Sequence, residues 1–114
     1  MDDFLIVIKA ISDEKRLKII NLLIQNDFCV GALSRQLEIS EAAVSQHLKV
    51  LRKAGVVTGE KRGYYTHYDV NRELLLEISG EITKIATNDT IRKGCRLHIT
   101  GDHQYCANKK PHVE

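Results

Sequence analysis

The stretch SEAAVSQHLKVLRKAGVV, residues 40–57, decides the fold of this 114-residue chain. It opens with serine, a favoured residue at the start of a helix, and Val44, Leu48 and Leu51 follow at a spacing of three or four residues. Such spacing places apolar side chains on one face of a helix, and a glycine beyond them favours its end. We therefore predict a helix over Glu41–Ala54 with an apolar inner face and a polar, basic outer side.

A second helical pattern precedes this one. Val30, Leu33 and Leu37 are spaced for a short helix over Val30–Leu37, after which LEIS interrupts the pattern. Two helices joined by a tight turn, with a polar and basic outer face on the second, are typical of a helix-turn-helix. The second helix of such a unit fits the major groove of DNA and presents its first turns to the base edges.

The run VVTGEKRGYYTHYDV, residues 56–70, predicts a β-hairpin after the two helices. Valine, threonine and tyrosine favour strands, and Gly59 and Gly63 lie where we expect the chain to bend. A hairpin in this position is the wing of a winged helix. Lys61 and Arg62 near its tip could reach the DNA backbone or the minor groove.

Helical patterns also flank this central region. Residues 2–11 predict a short first helix with one apolar face, and residues 71–88 predict a last helix. Residues 12–27 start with Ser12 as an N-cap and acids in the first turn, which predicts a central helix. Its apolar face is formed by Leu17, Ile19, Ile20, Leu23 and Ile24.

The predicted fold is therefore mainly α, a winged helix of the α+β type. It has four helices, a two-stranded β-hairpin wing and a C-terminal dimerisation helix, followed by a Cys/His tail. We assign residues 1–88 to a winged helix-turn-helix domain for DNA binding and dimerisation. Residues 89–114 form the C-terminal Cys/His-rich tail, a possible sensor site.

The leading end of the 41–54 helix carries short polar side chains suited to base edges. Ser45 and Gln46 can donate and accept hydrogen bonds, and Ala42 can contact a thymine methyl group. Four nearby side chains are better placed for phosphates, which position a protein without specifying sequence: Ser34, Arg35, Lys49 and Arg52. His47 lies at the edge of the inner face, so it either contacts DNA or packs half-buried. The predicted DNA-binding residues are Ser34, Arg35, Glu41, Ala42, Ser45, Gln46, His47, Lys49, Arg52, Lys61 and Arg62.

Charge and composition exclude several other classes of protein. The net charge of +2 does not by itself indicate a nucleic-acid binder. Residues 42–59 contain no acid but do contain Lys49, Arg52 and Lys53, which predicts a local basic surface.

The apolar run FLIVIKAI is too short for a membrane span and lacks the features of a signal peptide, so we expect a cytoplasmic protein. Neither a nucleophile with a base nor a phosphate-binding loop is recognisable, so we expect no enzyme.

Three segments together resemble a known family. The run ISDEKRLKIINLL, then CVGALSRQLEISEAAVSQHLKVLRKAGVV, then a hairpin ending in YYTHYDV, resemble the ArsR/SmtB family of bacterial and archaeal metal-responsive repressors. The resemblance extends over about residues 11–70 and is most specific over residues 40–57. It implies a homodimeric winged-helix repressor whose first and last helices form the dimer interface and whose operator affinity falls when an inducer binds.

Apolar stripes on the two terminal helices agree with a dimer, because they are more apolar than a small monomer needs there. The alternative is that both stripes only cover the core. A two-fold dimer faces two half-sites about one turn of DNA apart, so a palindromic operator is expected. The predicted interface residues are Phe4, Val7, Ile8, Ile11, Leu75, Ile78, Ile82 and Ile85.

The sensor positions that the resemblance implies are largely missing. Arsenic-type members begin the first helix of the DNA-reading unit with Cys-Val-Cys, whereas this chain has Cys29, Val30 and Gly31, which leaves one possible thiolate. Zinc-type members carry a carboxylate and histidines on the last helix, whereas Arg72–Asn88 contains no histidine.

The tail segment CRLHITGDHQYC contains two cysteines and two histidines, the ligand number of tetrahedral zinc. These ligands favour zinc, cobalt, nickel or copper(I), in a structural or a regulatory role. A disulfide between Cys95 and Cys106 would instead make a redox switch, and Cys29 could join both cysteines to bind trivalent arsenic or antimony. A tail without any function is the remaining alternative. The predicted metal ligands are Cys95, His98, His103 and Cys106.

Two classes of function fit these observations. The first is a DNA-binding transcriptional repressor, a homodimer on a double-stranded operator, released by a metal, a metalloid or an oxidant. The second is a winged helix that binds another protein and carries a structural metal in its tail. An interaction module would present apolar anchors at the start of the 41–54 helix, whereas this chain presents polar and basic residues. The sequence therefore favours the repressor.

Overall fold

The computed structural model describes residues 2–88, and the predicted fold class is confirmed. Residues up to Glu81 form one compact unit, and a second unit begins at Ile82. The four predicted metal ligands, Cys95, His98, His103 and Cys106, lie outside the described residues. The elements in chain order are α1 (Asp2–Ile11), α2 (Glu14–Gln25), α3 (Val30–Leu37), α4 (Glu41–Lys53), β1 (Val57–Arg62), β2 (Tyr65–Val70) and α5 (Arg72–Ala86).

The start of α2 differs from the prediction by one residue. Asp13 is the N-cap and accepts a hydrogen bond from the backbone N–H of Arg16 at 3.1 Å. Ser12, the predicted cap, instead donates its hydroxyl to the carbonyl of Lys9 at the end of α1. Both residue types cap helices well, but a carboxylate also interacts favourably with the positive end of the helix dipole.

The turn between α3 and α4 is closed by side-chain and backbone hydrogen bonds. Glu38 ends α3 in the left-handed conformation at φ 57°, and the Ser34 hydroxyl donates to the carbonyl of Ile39 at 2.5 Å. Ser40 caps α4 by accepting from the N–H of Ala43 at 3.0 Å. The predicted bounds of α3 are confirmed, and α4 ends one residue early because Ala54 is its C-cap.

The core is apolar and is built from all the elements. Val44, Leu48 and Leu51 are buried, so the predicted inner face of α4 is confirmed. On α2 the buried side is narrower than predicted, since Leu17 remains 46% exposed and Ile24 is also exposed. The apolar surface of α2 is wider than its neighbours can cover. The largest fully buried side chains are Val7, Ile19, Leu33, Val44, Leu48, Leu51, Val56 and Val57.

The hairpin pairs β1 with β2 in antiparallel register, from Val57 opposite Val70 to Arg62 opposite Tyr65. Gly63 adopts φ 67° in the turn, as a tight hairpin requires. Gly59, predicted to lie in the bend, is instead in β1 opposite Tyr68. A Cβ atom at this position would lie 3.1 Å from the Tyr68 ring, so the missing side chain makes room for a buried aromatic residue.

Asn71 joins the hairpin to the last helix. Its side-chain oxygen accepts from the N–H of Leu74 in the first turn of α5, at 3.2 Å. Its amide group donates to the carbonyl of Gly55, also at 3.2 Å, and its backbone N–H donates to the carbonyl of Val56. The start of α5 is therefore tied to the end of α4.

Candidate nucleic-acid interface

The outer face of α4 is exposed along its length. Ala42, Ser45, Gln46 and Lys49 recur at three- and four-residue spacing on the side opposite to the buried Val44, Leu48 and Leu51. Burial of the inner face determines which way the helix is rotated, so the polar side chains point away from the core. Glu41 and Arg52 are exposed as well.

The helix α3 packs its apolar side into the same core as the inner face of α4. Leu33 and Leu37 are buried, and Lys15 of α2 donates to the carbonyl of Leu37 at 3.5 Å, where a cation is favoured at the end of a helix. Arg35 is exposed, as expected for a phosphate contact. The only hydroxyl proton of Ser34, which is also predicted to contact a phosphate, is donated to the carbonyl of Ile39 within the turn.

His47 lies apart from the exposed face of α4. It is half-buried, and its Nδ1 atom lies 3.2 Å from Nη1 of Arg16 in α2. Of the two alternatives, DNA contact or packing, this geometry favours packing. Arg16 was not singled out by the sequence analysis, because its partner is 31 residues away and no local pattern connects the two.

The wing carries two basic residues that differ in their surroundings. Lys61 is exposed, whereas Arg62 forms an ion pair with Glu60, with Nη2 and Oε1 3.0 Å apart. The hydrogen bond to Glu60 is also the main reason that the pKa of Arg62 is raised. Tyr64, at the tip next to Gly63, is 96% exposed. Tyr64 is not among the predicted DNA-binding residues.

His67 links the wing to the loop before α3. Its Nδ1 atom lies 2.8 Å from Oδ1 of Asp27, and its Nε2 atom lies 3.2 Å from Oδ1 of Asp69. Its side chain is only 14% exposed. The sequence alone does not indicate that this histidine is paired, because Asp27 lies 40 residues away along the chain.

Most of the residues predicted to form the dimer interface instead pack against the core of their own chain. Val7 and Ile78 are buried in the core, and Phe4, Ile8, Ile11 and Leu75 are half-buried against it. Among the predicted interface residues, Ile82 and Ile85 are exposed. Exposed apolar side chains that were not predicted also occur on the terminal helices, namely Leu5, Ile6 and Leu76.

Cys29 is exposed at the N-cap of α3. Beside it, a Cβ atom at Gly31 would lie 3.4 Å from Oε2 of Glu41 and 3.7 Å from Nη1 of Arg35. Within residues 2–88, no three side chains of the His, Cys, Asp or Glu type form a group that could hold a metal ion. Cys29 therefore has no set of partner ligands in this part of the chain.

None of the helices in the described part of the chain is long and apolar enough to cross a membrane.

Residues 13–58 match the family model described as bacterial regulatory protein, arsR family. The chain is 39% identical over 66 residues to the transcriptional activator HlyU of Vibrio cholerae, a match that covers 58% of this chain and 61% of that protein. The chain thus spans less than two thirds of the length of HlyU. It is 36% identical over 77 residues to the arsenical resistance operon repressor of Bacillus subtilis, which covers 67% of this chain and 70% of that protein.

A solved structure of a regulator of the ArsR type has the same fold as this chain. The ArsR-like transcriptional regulator from Rhodococcus sp. RHA1 superimposes with a TM-score of 0.68 at 27% sequence identity. The superposition covers 75% of this chain and 80% of that chain.

Proposed function

The chain belongs to the ArsR family of transcriptional regulators, and on this premise we propose that it is a homodimeric repressor that binds a palindromic operator through α4. We further propose that a transition metal or another thiol-reactive inducer releases it from DNA. Proteins of this family are DNA-binding regulators and not enzymes.

The observation that carries the proposal is the exposed polar face of α4, opposite a buried apolar face. An α-helix fits the major groove, where each base pair presents a distinct pattern of donors, acceptors and methyl groups. We infer that Ser45 and Gln46 hydrogen-bond to base edges and that Ala42 contacts a thymine methyl group. An interaction module would need apolar anchors at these positions, and they are polar or small.

Phosphate contacts are proposed for the exposed cations around this face. Arg35, Lys49 and Arg52 lie on the helix-turn-helix, and Lys61 lies on the wing. Each neutralised phosphate makes binding more sensitive to salt, with a slope of about −0.9 in log K against log [salt]. We therefore expect the affinity of a dimer to fall steeply with ionic strength.

Dimerisation is supported by the apolar side chains left exposed on the terminal helices. Leu5 and Ile6 on α1 and Leu76 on α5 add to the predicted residues Ile82 and Ile85. Exposing several large apolar side chains to water is unfavourable, and a second copy of the chain packed against them would bury them. A two-fold dimer would present its two α4 helices to half-sites about 34–36 Å apart.

For the inducer we propose a transition metal such as zinc, bound by Cys95, His98, His103 and Cys106. Two other chemistries remain open: trivalent arsenic or antimony held by Cys29, Cys95 and Cys106, and a disulfide between Cys95 and Cys106. One relative is named for arsenical resistance, which is consistent with a metalloid. Cys29, as an exposed thiol, could contribute to the second chemistry.

DNA binding is tested by selecting duplexes from a random library with the wild-type protein at moderate salt. We expect a palindromic consensus, and Gln46→Ala should relax the preference at one base position in each half-site. Lys49→Ala should instead weaken binding to all sequences alike and make the salt slope shallower. Gln25→Ala, an exposed glutamine at the end of α2, is the control and should bind as the wild type does. Absence of any sequence preference would exclude the repressor and favour a protein-interaction module.

The inducer is tested on anaerobically purified protein by measuring bound metal, free thiols and release from the selected duplex. Replacement of both Cys95 and Cys106 by Ser should remove metal binding and release. Cys29→Ser should matter only if a three-thiolate site forms. Unchanged metal binding and release in the double variant would exclude the tail as the sensor.

A further inference from the structure

Arg16 in α2 makes hydrogen bonds that join three helices. Its Nε atom donates to the carbonyl of Ala10 near the end of α1 at 2.6 Å. Its Nη1 atom lies 3.2 Å from Nδ1 of His47 in α4. Its backbone N–H donates to the carboxylate of Asp13, which fixes the first turn of α2. The side chain of Arg16 thus connects α1 and α2 to α4, the helix that carries the proposed base contacts.

The chemistry of the pair decides which atom donates. A guanidinium has five N–H donors and no acceptor, so Nδ1 of His47 must be the acceptor. Neutral imidazole offers a lone pair at Nδ1 only when its proton is on Nε2. Imidazolium has protons on both nitrogens, so a protonated His47 cannot accept and would place a second positive charge beside Arg16.

We propose that Arg16 is a positioning residue for α4, which it holds through the unprotonated Nδ1 atom of His47, so that sequence-specific DNA binding weakens when His47 takes up a proton. This inference rests on the proposed function, because it requires that α4 reads DNA. His47 is adjacent in sequence to Gln46, and base contacts lose their geometry when their supporting residues shift.

Two charged groups face His47 from α2. The guanidinium of Arg16 lies against the imidazole, and the carboxylate of Asp13 at the start of α2 interacts with it electrostatically. Asp13 is also engaged by the backbone N–H of Arg16, so it stays in place in either state of His47. Protonation would therefore break the Arg16 contact without expelling the imidazole from this region.

Protonation has opposite effects on specific and non-specific binding. An added positive charge favours contact with phosphates of any sequence. Loss of the Arg16 contact disturbs only those interactions that require α4 in one position. The ratio of specific to non-specific affinity therefore isolates the positioning role, whereas either affinity alone would mix both effects.

The test measures this ratio at pH values of about 8 and about 6, across the range in which histidines change charge. The probes are a duplex selected from a random library by the wild-type protein at the higher pH and a random duplex of equal length. We expect the wild-type ratio to fall roughly tenfold, since the contact is lost in both protomers. His47→Gln can accept from Arg16 through its amide oxygen but cannot be protonated, so its ratio should be preserved and independent of pH.

His67→Gln is the matched control and should retain the wild-type dependence on pH, because His67 lies on the wing between two carboxylates. Nitrogen-15 NMR of the imidazole rings supplies a reading that does not involve DNA, and His47 should carry its proton on Nε2 at the higher pH. A proton on Nδ1, a wild-type ratio that does not change with pH, or an equal fall in His47→Gln would overturn the positioning role alone. If the wild-type protein selects no sequence at all, both this role and the proposed function are wrong.

Discussion

Of the two glycines in the wing, Gly59 has less room for a larger side chain than Gly63. A Cβ atom there would lie 3.1 Å from Cε1 of the buried Tyr68 ring, with Thr66 also in contact. Gly80 in α5 has the opposite surroundings, because a Cβ atom would meet nothing within 4 Å. The same substitution is therefore expected to act in opposite directions at the two positions.

We predict that Gly59→Ala lowers the free energy of unfolding by about 1–3 kcal/mol through overpacking. Gly80→Ala should raise it by about 0.5–1 kcal/mol, because alanine restricts the unfolded chain and favours helix. Urea denaturation at one fixed protein concentration measures both, since stability of a dimer depends on concentration. Equal effects of the two substitutions would contradict the close contact with Tyr68.

Asp13 provides a prediction about pH. The hydrogen bond from the backbone N–H of Arg16 is the main reason that the pKa of this carboxyl is below its usual value. A carboxyl whose pKa is lower in the folded state stabilises the fold at pH values above its unfolded-state pKa, which is about 4. That contribution is lost as the pH falls further through the lower pKa of the folded state.

We therefore expect the wild-type protein to lose more stability than Asp13→Asn as the pH is lowered from about 5 to about 3. Asparagine is the suitable replacement because it also caps helices but does not titrate in this range. Thermal unfolding over this range measures the difference. Parallel curves for the two proteins would show that the Asp13 charge does not contribute.

At the scale of the elements, the wing is a short hairpin whose two basic residues are not equivalent. Arg62 is held by Glu60, with both Nε and Nη2 donating to the same carboxylate oxygen. A phosphate would have to compete with that carboxylate, whereas Lys61 is exposed. The proposed DNA contact of the wing is therefore expected to depend mainly on Lys61.

We predict that Lys61→Ala weakens DNA binding and makes the salt slope shallower by about one phosphate contact for each protomer. Arg62→Ala should have a smaller effect on both. Fluorescence anisotropy titrations of one duplex at several salt concentrations measure affinity and slope together. A larger effect of Arg62→Ala would mean that the ion pair with Glu60 opens on DNA.

At the scale of the whole molecule, apolar surface is unevenly distributed. Leu76 on α5 is 69% exposed, and Leu5 and Ile6 on α1 are more than half exposed. Leu17 on α2 is exposed as well, but it is not on a terminal helix. Only the terminal helices are proposed to meet a second copy of the chain, so the two groups of residues should respond differently to a charge.

We predict that Leu76→Glu shifts the protein from dimer to monomer, because it places a carboxylate in an apolar interface. DNA binding should weaken with it, since one protomer covers only one half-site. Leu17→Glu is the control and should leave the dimer intact. Sedimentation equilibrium at several concentrations separates these results, and a dimeric Leu76→Glu would rule out the proposed interface.

Much of the fold and part of the candidate site could be predicted because their signals are local. Ser40 as a cap and the spacing of Val44, Leu48 and Leu51 are sufficient to identify α4 and its inner face. Burial of that face then leaves Ser45 and Gln46 exposed without further information. Ser12 and Asp13 compete for the same capping role, so the pattern alone could not choose between them.

The sequence by itself determined the order of the elements and the helix-turn-helix with its wing, because caps, apolar spacing and turn residues act within a few positions of the chain. Only the tertiary structure decided which side of α2 is covered and which residues of α1 and α5 remain exposed. It also decided that Arg16 meets His47, 31 residues away, and that Asp27 meets His67, 40 residues away. Such pairs form because packed helices and strands bring distant side chains together, and no local pattern records that packing.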